Sequence, residues 1–90
     1  MALYKVLIKV SASKELAAIG PKANRQRLVA KMQSLASSPR PRGSEKLAGY
    51  DNRYRVRQGN YRIVYLIDDD LDEVTIFKIG DWKDVYRQAV

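Results

Sequence analysis

The first ten residues, MALYKVLIKV, alternate between two faces. Tyr4, Val6, Ile8 and Val10 lie on one, and Leu3, Lys5, Leu7 and Lys9 on the other. Alternation rich in β-branched residues predicts a half-buried strand over residues 2–10. The period then changes. Ser11 or Ser13 is placed to cap a short helix through KELAAI, with Glu15 as its first-turn acid, and Gly20–Pro21 ends it. From 22 to 36, Leu28, Met32 and Leu35 recur at i, i+4 and i+7 with Val29 alongside. That spacing predicts an amphipathic helix with Arg25, Arg27 and Lys31 on its outer face.

SSPRPRGS reads as a loop, with two prolines and a glycine in eight residues. Strands are expected at 53–58, 61–67 and 73–79, the last two joined by the charged turn DDDLD. The tail from Trp82 onward reads as a short helix or an irregular segment. The order β-α-α-β-β-β predicts an α+β fold in one domain spanning 1–90. Its small twisted antiparallel sheet contains a meander of the last three strands and carries two N-terminal helices on one face.

Parity within the hairpin raises a chemical question. Arg53, Arg55 and Arg57 share one face of their strand, while Tyr54 and Val56 take the core side. A two-residue turn at Gly59–Asn60 pairs Arg57 with Arg62; one at Gln58–Gly59 pairs Arg55 with Arg62. Either puts Arg62 on the face of Arg55 and Arg57, whereas a three-residue loop without a bulge sends it to the other side. Gly-Asn is a favoured two-residue turn, so convergence is expected. Like charges facing across strands destabilise, and a polyanion resolves that conflict because each guanidinium is a planar fork of donors suited to phosphate. The plainer reading is a solvated face whose arginine stems cover apolar neighbours. Val64 and Leu66 continue the face of Arg62 as apolar surface.

Charge sharpens the first reading. The chain has 17 basic and 10 acidic residues, a net +7, which favours nucleic acid or an acidic protein as partner. The surplus is local: residues 40–62 hold seven bases against two acids, Glu45 and Asp51. Cysteine and histidine are both absent, so disulfides, thiolate nucleophiles, most structural zinc sites and the usual acid–base residue near neutral pH are excluded. No apolar run approaches the ~18 residues of a membrane span, and a soluble, cytoplasmic protein is expected.

The segments KLAGYDNRYRVRQGNYRIVYLIDD and VTIFKIGDWKDVYR, taken together, resemble the RelE/ParE toxin superfamily of bacterial and archaeal toxin–antitoxin systems, over about residues 46–87. The resemblance implies a compact toxin without metal or cofactor, neutralised by a cognate antitoxin that wraps it. RelE-like members act with the ribosome and mRNA as partners. They cleave the message by attack of a ribose 2′-OH on the adjacent phosphate, leaving a cyclic phosphate and a free 5′-OH. ParE-like members share the fold and poison DNA gyrase, and a catalytically degenerate member only binds its antitoxin. Ribosome-dependent mRNA cleavage is the expected activity here, with gyrase inhibition or bare antitoxin binding as the alternatives.

By position, Arg55 and Arg57 match two basic active-site residues, Arg62 the arginine that contacts the scissile phosphate, and Tyr86 the C-terminal tyrosine that stacks on or activates the substrate. Arg40, Arg42, Arg53, Lys83 and Arg87 are expected to extend substrate binding. Trp82 either stacks on a base, packs beneath the tail or meets the antitoxin, and Val64 and Leu66 are expected antitoxin contacts. Many relatives read G-H-R-[KR]-D-V-Y where this chain reads GDWKDVY, so Asp81 replaces a histidine and Trp82 an arginine. A charge-stabilising group is thereby missing unless Lys83 or Arg87 reaches the site. Arginine stays protonated and cannot serve as general base. That role falls to Tyr86, or to Asp81, which is either a base or a salt-bridge partner.

Overall fold

The computed structural model describes residues 3–49 and 52–81. Strand β1 (Lys5–Ile8) leads into helices α1 (Val10–Ala17) and α2 (Lys22–Ser34), then strands β2 (Glu45–Lys46), β3 (Arg53–Gln58), β4 (Tyr61–Asp68) and β5 (Glu73–Asp81). The strands form one sheet in the order β1-β5-β4-β3-β2. The expected meander is present, with β3–β4 and β4–β5 antiparallel. Strand β1 joins it parallel to β5, Lys5 to Ile8 lying opposite Glu73 to Ile76. The two helices between β1 and the meander supply the long crossover that a parallel pair requires.

Helix α1 starts earlier than its serines predict. The Lys9 N–H completes the ladder to the Ile76 carbonyl at 2.9 Å, and the helix begins at the next residue with no side-chain cap. Ser11 and Ser13 are therefore inside the helix, and Glu15 is free for another task. Its carboxylate pairs with the Lys78 ammonium and accepts the Ile79 N–H at 3.2 Å. Strand β1 has stopped at Ile8, opposite Ile76, so Glu15 satisfies an edge donor of β5 that has no strand partner.

The main core lies between the helices and one sheet face. Leu28, Met32 and Leu35 are buried as the helical spacing predicts, against Val56, Ile63, Tyr65, Ile67, Val74, Ile76 and Ile79. Each fully buried aliphatic side chain contributes about 1.5–3 kcal/mol. The strand β5 positions in that core are 74, 76 and 79, an interval that departs from strict alternation. A bulge explains it: Val64 pairs with Lys78 but Tyr65 with Ile76, leaving Phe77 as the extra residue. The shift keeps Lys78 out of the helix-side core, brings Ile79 into it, and lets Phe77 pack on the other face with Leu47 and Val64.

Tyr65 ties this core to the 37–44 loop. Its ring is buried and its hydroxyl donates to the Pro39 carbonyl at 2.7 Å. Burial pushes the phenol pKa up to about 12. Below pH ~10 the phenol is neutral in both folded and unfolded chains, whereas from ~10 to about 12 only the unfolded chain ionises. Stability is therefore lost as pH rises through that window. Urea midpoints from pH 9 to 11.5 are expected to fall less steeply for Tyr65→Phe than for the unmodified chain. Parallel curves for the two proteins would rule out this phenol as the source.

Candidate functional site

The β3–β4 turn sets the site. Gly59 adopts φ 62°, the left-handed conformation needed at the first central position of a type II′ turn. This two-residue connection pairs Arg57 with Arg62, Arg55 with Val64 and Arg53 with Leu66. Side chains alternate, so the four arginines lie on the face away from the helices. Three of them, Arg55, Arg57 and Arg62, line a cleft of about 270 Å³ with Gly43 and Glu45. Of the four expected catalytic residues these three converge; Tyr86 lies outside the described residues, as do Trp82, Lys83 and Arg87.

Glu45 belongs to this site and was not among the residues predicted for it. Strand β2 is only two residues long, yet it places Glu45 directly opposite Arg55. The carboxylate meets the Arg55 guanidinium at 2.6 Å. The Arg55 guanidinium, with a smaller contribution from Arg62, holds the Glu45 carboxyl below the usual carboxylate range. Among the described residues, three guanidiniums and one carboxylate line the cleft. The Arg57 Nε donates to the Gly59 carbonyl at 2.8 Å, anchoring that guanidinium at the turn. Arg62 is half-buried, and its contact to the Tyr61 carbonyl is long, at 3.5 Å. A signal for Glu45 was present in the sequence, since it is one of two acids among the bases of 40–62.

Other expected site residues are placed differently. The Arg40 guanidinium pairs with Asp69 at 2.8 Å, donates to the Tyr54 hydroxyl at 3.2 Å and sits 5.3 Å from the Tyr54 ring centre. Tyr54 packs on the helix-side core, so Arg40 lies on the opposite side of the sheet from the cleft. Arg40 and a 2.6 Å hydrogen bond from Tyr4 hold the Asp69 carboxyl below its ordinary range. Arg42 is exposed in the same loop, beside Gly43. Arg53 stacks over Phe77 at 5.1 Å and does not line the cleft.

Asp81 pairs with Tyr61, which packs on the helix-side core, so register directs Asp81 to that side and away from the arginines. Val64 also departs from expectation. It is 1% exposed beneath Leu47 and Phe77 and offers no surface to an antitoxin, because the bulge swings Phe77 across it. Leu66 remains half-buried on that face. No helix among the described residues is long and apolar enough to cross a membrane.

Helices packed on a meander, with an arginine-lined cleft on the opposite face, define a toxin fold that the comparisons identify. A family model described as the ParE toxin of the type II toxin–antitoxin system parDE matches residues 6–86. The archaeal RelE–RelB complex from Pyrococcus horikoshii contains a chain 30% identical, with a TM-score of 0.78 over 88% of this chain and 94% of that one. An E. coli RelE mutant in the free state is 27% identical, with a TM-score of 0.79 over 97% of this chain and 94% of that one. A toxin–antitoxin complex from Mycobacterium tuberculosis is 25% identical, with a TM-score of 0.78 over 90% and 93%. Among curated protein sequences, none matches. The chain belongs to the RelE/ParE toxin superfamily and is a toxin of a type II toxin–antitoxin system.

Proposed function

We propose that this toxin is an endoribonuclease that cleaves messenger RNA on the ribosome and is neutralised by a cognate antitoxin. The observation that carries the reading is the meeting of three guanidiniums and one carboxylate in a single cleft. Arg55, Arg57 and Arg62 bind the scissile phosphate and stabilise the charge that builds on its oxygens. Glu45 takes the proton from the ribose 2′-OH, whose oxygen attacks the adjacent phosphorus. The bond to the 5′ oxygen breaks, leaving a 2′,3′-cyclic phosphate and a 5′-OH protonated by solvent or by Tyr86. Arginine supplies charge without proton transfer, and Glu45 is the one titratable carboxylate lining the cleft among the described residues.

The similar structures from P. horikoshii and E. coli include RelE–RelB complexes, which supports an antitoxin as the partner here. Leu66 and the Phe77 ring offer it apolar contact on the face that also carries the arginines. A second reading, gyrase inhibition, is favoured by the parDE description of the matching family. Mapping mRNA 5′ ends after pulse expression, with and without translating ribosomes, separates the readings. Ribosome-dependent new 5′-OH ends are expected. Growth arrest with intact mRNA and trapped gyrase–DNA complexes would overturn the nuclease reading, and antitoxin binding without arrest would mark an inactive member.

A further inference from the structure

The tip of the β3–β4 hairpin has a second concave side. Opposite the arginine cleft, the turn closes against α2 around a pocket of about 260 Å³ lined by Asn24, Arg27, Gln58, Gly59, Asn60 and Tyr61. Asn24 and Arg27 are three residues apart on α2 and so share a face. Gln58 and Tyr61 lie opposite each other at the end of the hairpin, on the side where Tyr61 packs against the core.

The lining has an unusual composition for a structural junction. Among the described residues the pocket is lined by three carboxamides, one guanidinium and one phenol ring, with Asp81 across from Tyr61 on the same side of the sheet. Among the described residues, the side chains of Arg27, Gln58 and Asn60 make no hydrogen bond or ion pair, and Asn24 makes one long contact, to the Gly20 carbonyl at 3.4 Å. Arg27 and Asn60 are exposed and Asn24 and Gln58 half-buried, so their polar groups are hydrated in the free protein and open to a ligand.

Carboxamides present a donor and an acceptor in one plane, the pattern that reads a base edge, and adenine most directly. Aromatic rings and guanidinium planes stack on unpaired RNA bases. The volume is below the ~300–1,000 Å³ of pockets for drug-sized ligands, which suits a single base. The two hollows meet at the turn, where Arg57 of one bonds to Gly59 of the other. Gly59 has no side chain at the crest, and the Arg57 Nε holds its carbonyl, so a strand crossing the tip meets backbone on both sides.

We propose that this pocket receives the base of a nucleotide flanking the scissile phosphate, so that the RNA crosses the hairpin tip and sequence preference is read on the helix side. The proposal rests on the nuclease reading for its biological meaning, but the pocket can be tested by binding alone. Full-length toxin would be titrated with four short single-stranded RNAs differing in the base beside a 2′-O-methylated, uncleavable linkage, using fluorescence anisotropy. In parallel, cleavage sites on ribosome-bound mRNA would be mapped.

The unmodified chain is expected to prefer one base, adenine first, by about tenfold or more. Asn24→Ala and Asn60→Ser should each flatten that preference, with thermal midpoints confirming that both variants fold. Unchanged preference in both, or no RNA binding by the unmodified chain, would overturn the pocket. Uniform weakening of all four RNAs by Arg27→Ala with preference retained would also overturn it, assigning the hollow to a phosphate backbone. If mRNA is never cut while the Asn variants still flatten binding, the nuclease reading fails and the pocket stands. If cutting persists with its site preference intact in both Asn variants, the pocket fails and the nuclease reading stands.

Discussion

Replacing Arg62 with alanine is expected to lower mRNA cleavage by roughly 10²–10³-fold and to abolish growth arrest, while the chain remains folded. The direction of both effects follows from where Arg62 sits. It occupies the central strand β4, opposite Arg57 on one side and Gly80 on the other, with its guanidinium at the cleft. In the transition state the phosphate oxygens gain charge, and a fixed donor in a closed site is then worth ~3–4 kcal/mol. In the free protein the same group gives little. Its contact to the Tyr61 carbonyl is long, and its neighbour Arg57 repels it. Alanine there leaves no buried partner unsatisfied, so the urea midpoint should hold or rise slightly while activity collapses. Arg62→Lys should fall between, since it restores the charge but not the planar fork. Retained arrest in the alanine variant would end the phosphate-clamp reading; lost arrest together with a large fall in midpoint would show Arg62 to be structural.

The features that place this cleft differ in how legible they are from sequence. The Gly59–Asn60 turn can be read directly, because few residues tolerate the required backbone and a two-residue link determines which arginines share a face. The Leu28/Met32/Leu35 stripe is equally plain. What sequence reasoning missed depends on contacts between distant segments. In VTIFKIG apolar residues are present at both parities, so alternation cannot reveal that Phe77 is the extra residue of a bulge or that Val64 is covered by it. Arg40 resembles its basic neighbours until the fold brings Asp69, 29 positions away, to its guanidinium. Strand β2 is too short to show a pattern, and with it Glu45 went unassigned although its charge stands out among the bases. Local signals therefore locate the arginines, and only tertiary structure supplies the acid that completes the cleft.

That acid carries the other large expected effect. Glu45→Gln should reduce the rate of the chemical step by roughly 10²–10⁴-fold, the range for losing a general base, with little change in fold because the side chain is mostly exposed. Two roles compete for Glu45, and they predict opposite kinetics. A carboxylate that only neutralises Arg55 would, once removed, raise the positive charge of the cleft and favour phosphate binding, lowering KM and sparing kcat. A proton acceptor would, once removed, lower kcat with KM little changed. The carboxyl is held below its usual range, first by Arg55 and then by Arg62, so it is ionised at neutral pH and loses its charge only as pH falls through that depressed value. Carboxyl NMR titration of Glu45 should therefore place its midpoint below that of an ordinary glutamate, ~4.3. Arg55→Ala should move that midpoint upward, since the guanidinium that chiefly depresses it is gone. A glutamine variant that cuts mRNA at an undiminished kcat would remove Glu45 from the chemistry and leave it as a counter-charge to Arg55.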